Sequence, residues 1–286
     1  MGKGLEVITS FVTAPGAAFP PATANAACAG NSLQIRSAAI NSSVKLLNIW
    51  AFNQVAGIVR TRSPRLHDNV NGIRTRVPAA SVLPKYPGLI NMGFPQFLIP
   101  QDTLVVEQSG SAVGGQIEST SHLVYYDNLP GVSARLITGA QLAQFGINVA
   151  TVEASIVSVV TGQYGGAVLL NAAANFQNLK ANTDYALVGY NTDTRGTTVR
   201  ILGVDFGNLG VGGPAEPSIQ DLTGGWFYNL ALAFNLPLIP VFNAANAGNT
   251  TIDVQTNQAG GTFIIDLFIV ELQPNAVPLA VSGAGV

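Results

Sequence analysis

Charge is what this sequence has least of. Asp, Glu, Lys and Arg make up 10% of the 286 residues while 48% are hydrophobic, against roughly 25% charged in an ordinary soluble domain. Asn, Gln, Ser and Thr carry the polar character instead. A free-standing monomer keeps a charged surface for solubility, so a chain this neutral is expected to hide much of its surface in neighbours. The net charge of −2 gives no overall attraction to nucleic acid or an anionic membrane. Sequence-specific nucleic-acid binding is not expected.

Cysteine and histidine are nearly as scarce. Cys28 stands alone, which excludes an intrachain disulfide or a thiolate metal cluster and suits a reducing cytoplasm. His67 and His122 are too few and too scattered for the histidine cluster of a cupin metal site. His67 adjoins Asp68, but neighbours in sequence do not form the base–orienter geometry of a triad, and no Ser or Cys nucleophile has motif support. Both histidines are expected to be polar surface or interface residues. Asp266 and Glu271 lie five apart on a strand and point to opposite faces, so they cannot flank one glycosidic bond. Asp127 and Glu271 read as strand-end residues near turns. The stretch "GNLGVGG" (207–213) lacks the Lys-Ser/Thr of a phosphate loop and reads as a loop between strands. No catalytic, cofactor or metal set is expected, and the chain is not expected to be an enzyme.

Long apolar helical runs are missing too. Val7–Ile35 is broken by Pro15, Pro20 and Pro21, and Ala154–Leu179 carries Gln163, Asn171, Asn175, Gln177 and Asn178. Glu6 interrupts the short apolar core that a signal peptide needs. The chain therefore reads as soluble.

What the sequence has is strands. The segments 43–52, 103–108, 122–127, 154–161, 197–206, 250–255 and 262–272 are rich in Val, Ile, Thr, Phe and Tyr, and 31 Gly and 16 Pro are spread between such runs. "TTIDVQT" (250–256) alternates as a half-buried strand should, whereas "FIIDLFIVEL" (263–272) suggests burial on both faces, or one face against a partner subunit. Helices are few. Thr138 and Gln141 form a capping box for 138–146 with Gly146 as the stop, and 221–234 ends in a helical apolar run.

Three phrases recur in order. "SVKLLNIWAFN" (43–53) aligns with "TVRILGVDFGN" (198–208), "FPQFLIP" (94–100) with "FNLPLIP" (234–240), and "HLVYYDNLP" (122–130) with "DLFIVELQP" (266–274). The pattern implies two homologous halves, 1–147 and 148–286. Each is a β domain of about eight strands, the size of a jelly roll. The fold class expected is all-β, two tandem eight-stranded jelly-roll sandwiches with a few short helices. The repeated "LIP" phrases should each lead into a late strand, with Leu98-Ile99 and Leu238-Ile239 buried.

Charge is concentrated once. "RTRSPRLHDNVNGIRTR" (60–76) holds Arg60, Arg62, Arg65, Arg74 and Arg76, five of the nine arginines. It reads as a basic loop, either meeting acidic groups of a neighbouring subunit, phospholipid heads or packaged genome, or simply solvated. The corresponding stretch of the second half, 210–221, has no arginine.

Two jelly rolls of about 140 residues joined at the midpoint resemble the double-jelly-roll major capsid proteins of tailless icosahedral viruses, the lineage of adenovirus hexon and the internal-membrane bacteriophages. The resemblance rests on architecture, size and composition over the whole chain. It implies a homotrimer with pseudo-hexagonal outline, built into a capsid lattice in the virion and assembled in the host cytoplasm. The partners implied are other copies, penton or minor capsid proteins, and, in some members, an internal lipid membrane. The apolar segment 1–20 and the tail 274–286 are then expected to pack on neighbours or on such a membrane. Two alternatives are a carbohydrate-binding or glycoside-hydrolysing double β-sandwich, which two Trp and 8% aromatic residues disfavour, and a spike or cement protein, which would typically have one sandwich.

Overall fold

The computed structural model describes residues 2–18, 20–24, 33, 35–36, 44–64, 66, 68–79, 81–84, 96–98, 103–158, 161–257, 260–274 and 276. The strands are β1 (Gly2–Thr13), β2 (Thr23–Ala24), β3 (Val44–Asn53), β4 (Gly57–Arg62), β5 (Ile73–Val77), β6 (Ser81–Pro84), β7 (Gln96–Leu98), β8 (Val105–Gln108), β9 (Ile117–Leu129), β10 (Leu136–Ile137), β11 (Gly146–Val157), β12 (Tyr164–Leu169), β13 (Asp184–Thr192), β14 (Thr198–Leu202), β15 (Gly210–Pro214), β16 (Ile239–Asn243), β17 (Thr251–Gln255) and β18 (Thr262–Leu272). The α-helices are α1 (Gly139–Phe145), α2 (Gln220–Thr223) and α3 (Trp226–Phe234). Thr138 caps α1 through the predicted capping box with Gln141, and Gly146 ends it.

These strands form four sheets. Sheet 1 has the order β5-β4-β8, prolonged by a single bridge from Pro21 to Glu107. Sheet 2 runs β2-β1-β9-β3-β6, with β7 also along β3. Sheet 3 runs β12-β17-β14-β15, and sheet 4 runs β10-β16-β13-β18-β11. Within each half the first strand lies beside the last, the third next, and then the sixth. The facing sheets hold the other four positions in the order second, seventh, fourth, fifth: β12, β17, β14 and β15 in the second half, and Pro21, β8, β4 and β5 in the first, where β7 takes the sixth position and β2 and β6 are additions to sheet 2. That is a jelly roll, written twice. The second strand of the first roll is cut short at Pro21, which has no ladder donor to give.

The irregularities repeat as well. β1 shifts register against β9 between Gly2 and Gly4, as β11 does against β18 between Gly146 and Asn148. β3 shifts against β9 between Leu46 and Asn48, and β13 against β18 between Leu187 and Gly189. Bulges placed alike in both rolls fix which strands correspond.

That register corrects the alignment of all three repeated phrases. "SVKLLNIWAFN" forms β3, whose counterpart is β13, whereas "TVRILGVDFGN" forms β14, the counterpart of β4. "HLVYYDNLP" and "DLFIVELQP" do lie on matching strands, but the alignment is one residue out. It sets His122, buried inside the first roll, against Asp266 on an outer face. "FPQFLIP" and "FNLPLIP" lie on corresponding strands, β7 along β3 and β16 along β13, with registers about four residues apart. Leu98, Leu238 and Ile239 are buried; Ile99 lies outside the described residues.

The four sheets stack in the order 1-2-3-4. Sheets 1 and 2 enclose the first core, with Ile8, Leu46, Ile49, Val106, Val124 and Tyr126. Sheets 3 and 4 enclose the second, with Val199, Ile201, Ile252, Val254, Ile265 and Leu267, and α3 closes it against β13 and β16. Sheet 2 then packs on sheet 3. Trp50 of β3 donates its indole N–H to the Thr197 carbonyl and the Thr198 hydroxyl, 3.0 Å each, and meets Trp226 edge-on at 5.8 Å. Ser121 bonds Thr198 at 2.6 Å, and Ser119 donates to Asn257 at 2.6 Å. The contact is neutral in sum, made of apolar, hydroxyl and amide groups together with the Arg200–Asp253 ion pair.

Several expectations change in consequence. The amino-terminal stretch is no loose apolar arm: Gly2–Thr13 is a central strand of sheet 2, paired with β9 along its length and with β2 at one end. Of the tail, Ala276 is buried, and 277–286 lie outside the described residues. Gly210–Pro214 is a strand and not a loop. β17 is buried on both faces because its polar side, Asp253 and Gln255, lies in the sheet 2–sheet 3 contact. β18 alternates, with Thr262 and Ile264 on an exposed side. Cys28 lies outside the described residues.

Candidate interaction surfaces

Sheet 1 and sheet 4 are the two ends of the stack, and among the described residues each keeps part of its outer face exposed: β5 on sheet 1, and β11 with the start of β18 on sheet 4, where Thr223 and Gly224 cover β13. On β4, Val59 and Thr61 point into the first roll, so Ile58, Arg60 and Arg62 point out. β5 places Arg76 opposite Ile58 and Arg74 opposite Arg60, and β8 places Glu107 on the other side of Arg60. Four of the five predicted arginines thus share one sheet face. They are strand residues and not a loop. Arg65 lies outside the described residues, as does His67.

Among the described residues, Glu107 is the carboxylate paired with this face. Glu107 accepts from Arg60 Nε at 2.5 Å and from Arg62 Nε and Nη2 at 3.0 and 3.1 Å. Arg74 and Arg76 are exposed, and among the described residues neither has a carboxylate partner. Arg60 and Arg74 are direct cross-strand neighbours, an arrangement that costs stability between like charges.

Sheet 3 carries the corresponding ion pair in a different setting. Arg200 of β14 holds Asp253 of β17 through Nε at 3.0 Å and Nη2 at 2.5 Å, and its guanidinium lies 3.8 Å from the Tyr164 ring centroid. Arg200 and Asp253 are cross-strand partners just as Arg60 and Glu107 are. This copy is covered by the first roll. Burial pushes the Asp253 carboxyl up, and Arg200 opposes that. Beside it β15 offers Gly212 and Pro214 where β5 offers Arg74 and Arg76.

The outer face of sheet 4 mixes apolar residues with Thr151, Ser155 and Thr262 around an acidic pair. Val149 is 83% exposed and Val157 52%, and Ile264 is exposed too, an unusual run for a solvent-facing surface. Glu153 and Asp266 sit directly opposite each other across β11 and β18. Among the described residues neither has a cationic partner.

The remaining groups are internal or already paired. His122 is fully buried between sheets 1 and 2, not on a surface or interface, with Nε2 at 2.8 Å from the Thr61 hydroxyl. Burial lowers its imidazole from about 6.5 to about 4. A groove at the end of the second roll contains Asp184 and Glu271. Arg135 grips Asp184, Lys180 donates to Glu271 at 2.6 Å, and Lys45 pairs with Asp127. The Lys180 and Asn148 contacts hold Glu271 below its usual range, the opposite of what a general acid requires. The acidic pair on sheet 4 was missed as a unit because only the strand register brings Glu153 to Asp266.

No family model matches this chain, and no curated protein matches it. Among solved structures, "PBSX exported protein XepA" is similar at 10% identity and TM-score 0.20, over 86% of this chain and 88% of that one. "STIV MCP" is similar at 11% identity and TM-score 0.22, over 98% of this chain and 100% of that one.

Proposed function

We propose that this protein is the coat subunit of an icosahedral virus, its two jelly rolls in halves 1–147 and 148–286 supplying two of six similar positions in a trimeric, pseudo-hexagonal capsomer, with no enzymatic role. The observation that supports this reading is the unlike-face contact inside the chain. The first roll uses its 1-8-3-6 sheet to meet the 2-7-4-5 sheet of the second. A second-to-first contact between chains would repeat it, since each chain ends in one unused sheet of each kind. Such a head-to-tail contact is heterologous and forms a ring when its rotation closes. The low overall charge suits a chain that buries both ends of its stack.

Mass measurement in solution followed by negative-stain microscopy tests the reading. Trimers of pseudo-hexagonal outline are expected. A monomer at all concentrations that hydrolyses glycans would give the chain to the carbohydrate-active class.

A further inference from the structure

The two open ends of the stack carry opposite charge problems. Sheet 1 sets Arg74 against Arg60 and shares the Glu107 carboxylate between Arg60 and Arg62. Sheet 4 sets Glu153 against Asp266 with no cation beside either among the described residues. Each like-charge pair destabilises the isolated chain, and each is what the other end lacks. The sheet 2–sheet 3 contact inside the chain shows neither: Trp50, Ser121 and Thr198 meet there, and Arg200 is matched one-to-one with Asp253.

We infer that the outer face of sheet 4 in one copy docks on the outer face of sheet 1 in the next, with Glu153 and Asp266 meeting Arg74 and Arg76. This rests on the coat-subunit reading and adds to it which faces meet and what selects them. The occupant is a second copy because both complementary faces belong to the same chain and continue a contact the chain already makes. Val149, Val157 and Ile264 supply apolar area on the acidic face, with Thr151 and Ser155 lying between them and Glu153, and Ile58 and Val105 supply it beside the arginines. The charges supply specificity. A neutral face already taken inside the chain and a charged face used between chains keep sheet 2 from docking on sheet 1, and sheet 4 from docking on sheet 3, of another copy.

Charge reversal tests this. E153R/D266R and R74E/R76E change exposed or half-exposed side chains, and circular dichroism and thermal melting check that each variant folds. Sedimentation velocity then reads the oligomer at low and high salt. Each double variant is expected to weaken the native oligomer at least about a hundredfold in dissociation constant, and the quadruple variant to restore it to within about tenfold. Double variants that assemble like the native chain, or a folded quadruple variant that does not recover, overturn the pairing while leaving the coat reading intact. A native chain that stays monomeric under every condition overturns the coat reading itself. Loss of binding to phosphatidylserine vesicles in R74E/R76E with an unchanged oligomer would assign sheet 1 to a membrane and also overturn the pairing.

Discussion

His122 offers a prediction whose size follows from its surroundings. Its ring is fully buried on β9, opposite Ile8 of β1 and Ile49 of β3, with Nε2 on Thr61. Burial disfavours the imidazolium and brings its value from about 6.5 to about 4, with the Ile8 backbone opposing in part. The folded chain therefore keeps this histidine neutral where the unfolded chain takes up a proton. Folding stability is unaffected above pH 6.5 and falls as the pH drops from there towards 4. A gap of two to three pH units at about 1.36 kcal/mol each removes roughly 3 kcal/mol. Glu118, raised by burial, acts in the other direction: its contribution is present at low pH and lost as pH rises through its folded value. It blunts the lower end of the window. The assay is urea unfolding of the dissociated chain at pH 7, 6, 5 and 4.5, beside the His122→Gln variant. The native chain should lose stability steadily across the series, while the variant stays nearly flat. An imidazole that titrates near 6.5 by NMR, or the same slope in the variant, would refute the reasoning.

The remaining predictions concern packing and ion pairs. Trp50→Ala removes an indole buried in the sheet 2–sheet 3 contact and its bonds to Thr197 and Thr198; a loss of about 3–5 kcal/mol in chemical denaturation is expected. Gly213→Ala places a Cβ 2.5 Å from Trp226 Nε1 and from the Tyr190 hydroxyl, and overpacking there should cost about 1–3 kcal/mol by the same measurement. Asp253→Asn breaks the covered ion pair, and Glu107→Gln breaks a second buried carboxylate's bonds to Arg60 and Arg62; each should cost about 3 kcal/mol. A cost below about 1 kcal/mol for either would mean that its carboxylate is solvated. Deleting residues 2–13 removes the strand between β2 and β9, so the truncated chain should fail to give a cooperative thermal transition.

Strand composition and the capping box were legible because they are local: most β-rich segments became strands, and Thr138, Gln141 and Gly146 stand where their chemistry places them. Which side of a strand is covered was not local. β17 alternates like a surface strand, yet its polar side lies under the first roll. β18 is nearly continuous in apolar residues, yet one side is open. In both cases tertiary packing overrode the pattern, because sheet 3 buries amide and carboxylate groups while sheet 4 exposes valine and isoleucine. The duplication was visible in words whose alignment was partly accidental. β3 and β14 resemble each other because both are apolar strands with a basic residue near the start, and only the pairing tells that they occupy different places. The arginines were found by count, but their partner set needed the register, which puts Arg74 beside Arg60 and Glu153 beside Asp266.

The pairing of β1 with β9 sets a timetable for synthesis. β1 leaves the ribosome well before residues 117–129, its long ladder partner, have been made, so an apolar segment waits with only β2 beside it while about a hundred more residues are added. Once the first roll closes, its sheet 2 face with Trp50 still awaits sheet 3. Nascent chains are therefore exposed twice to misassociation, first through a strand without its long partner and then through an uncovered sheet. The long-range closure also predicts slow folding for the size of each roll, and a yield that depends on how crowded neighbouring nascent chains are.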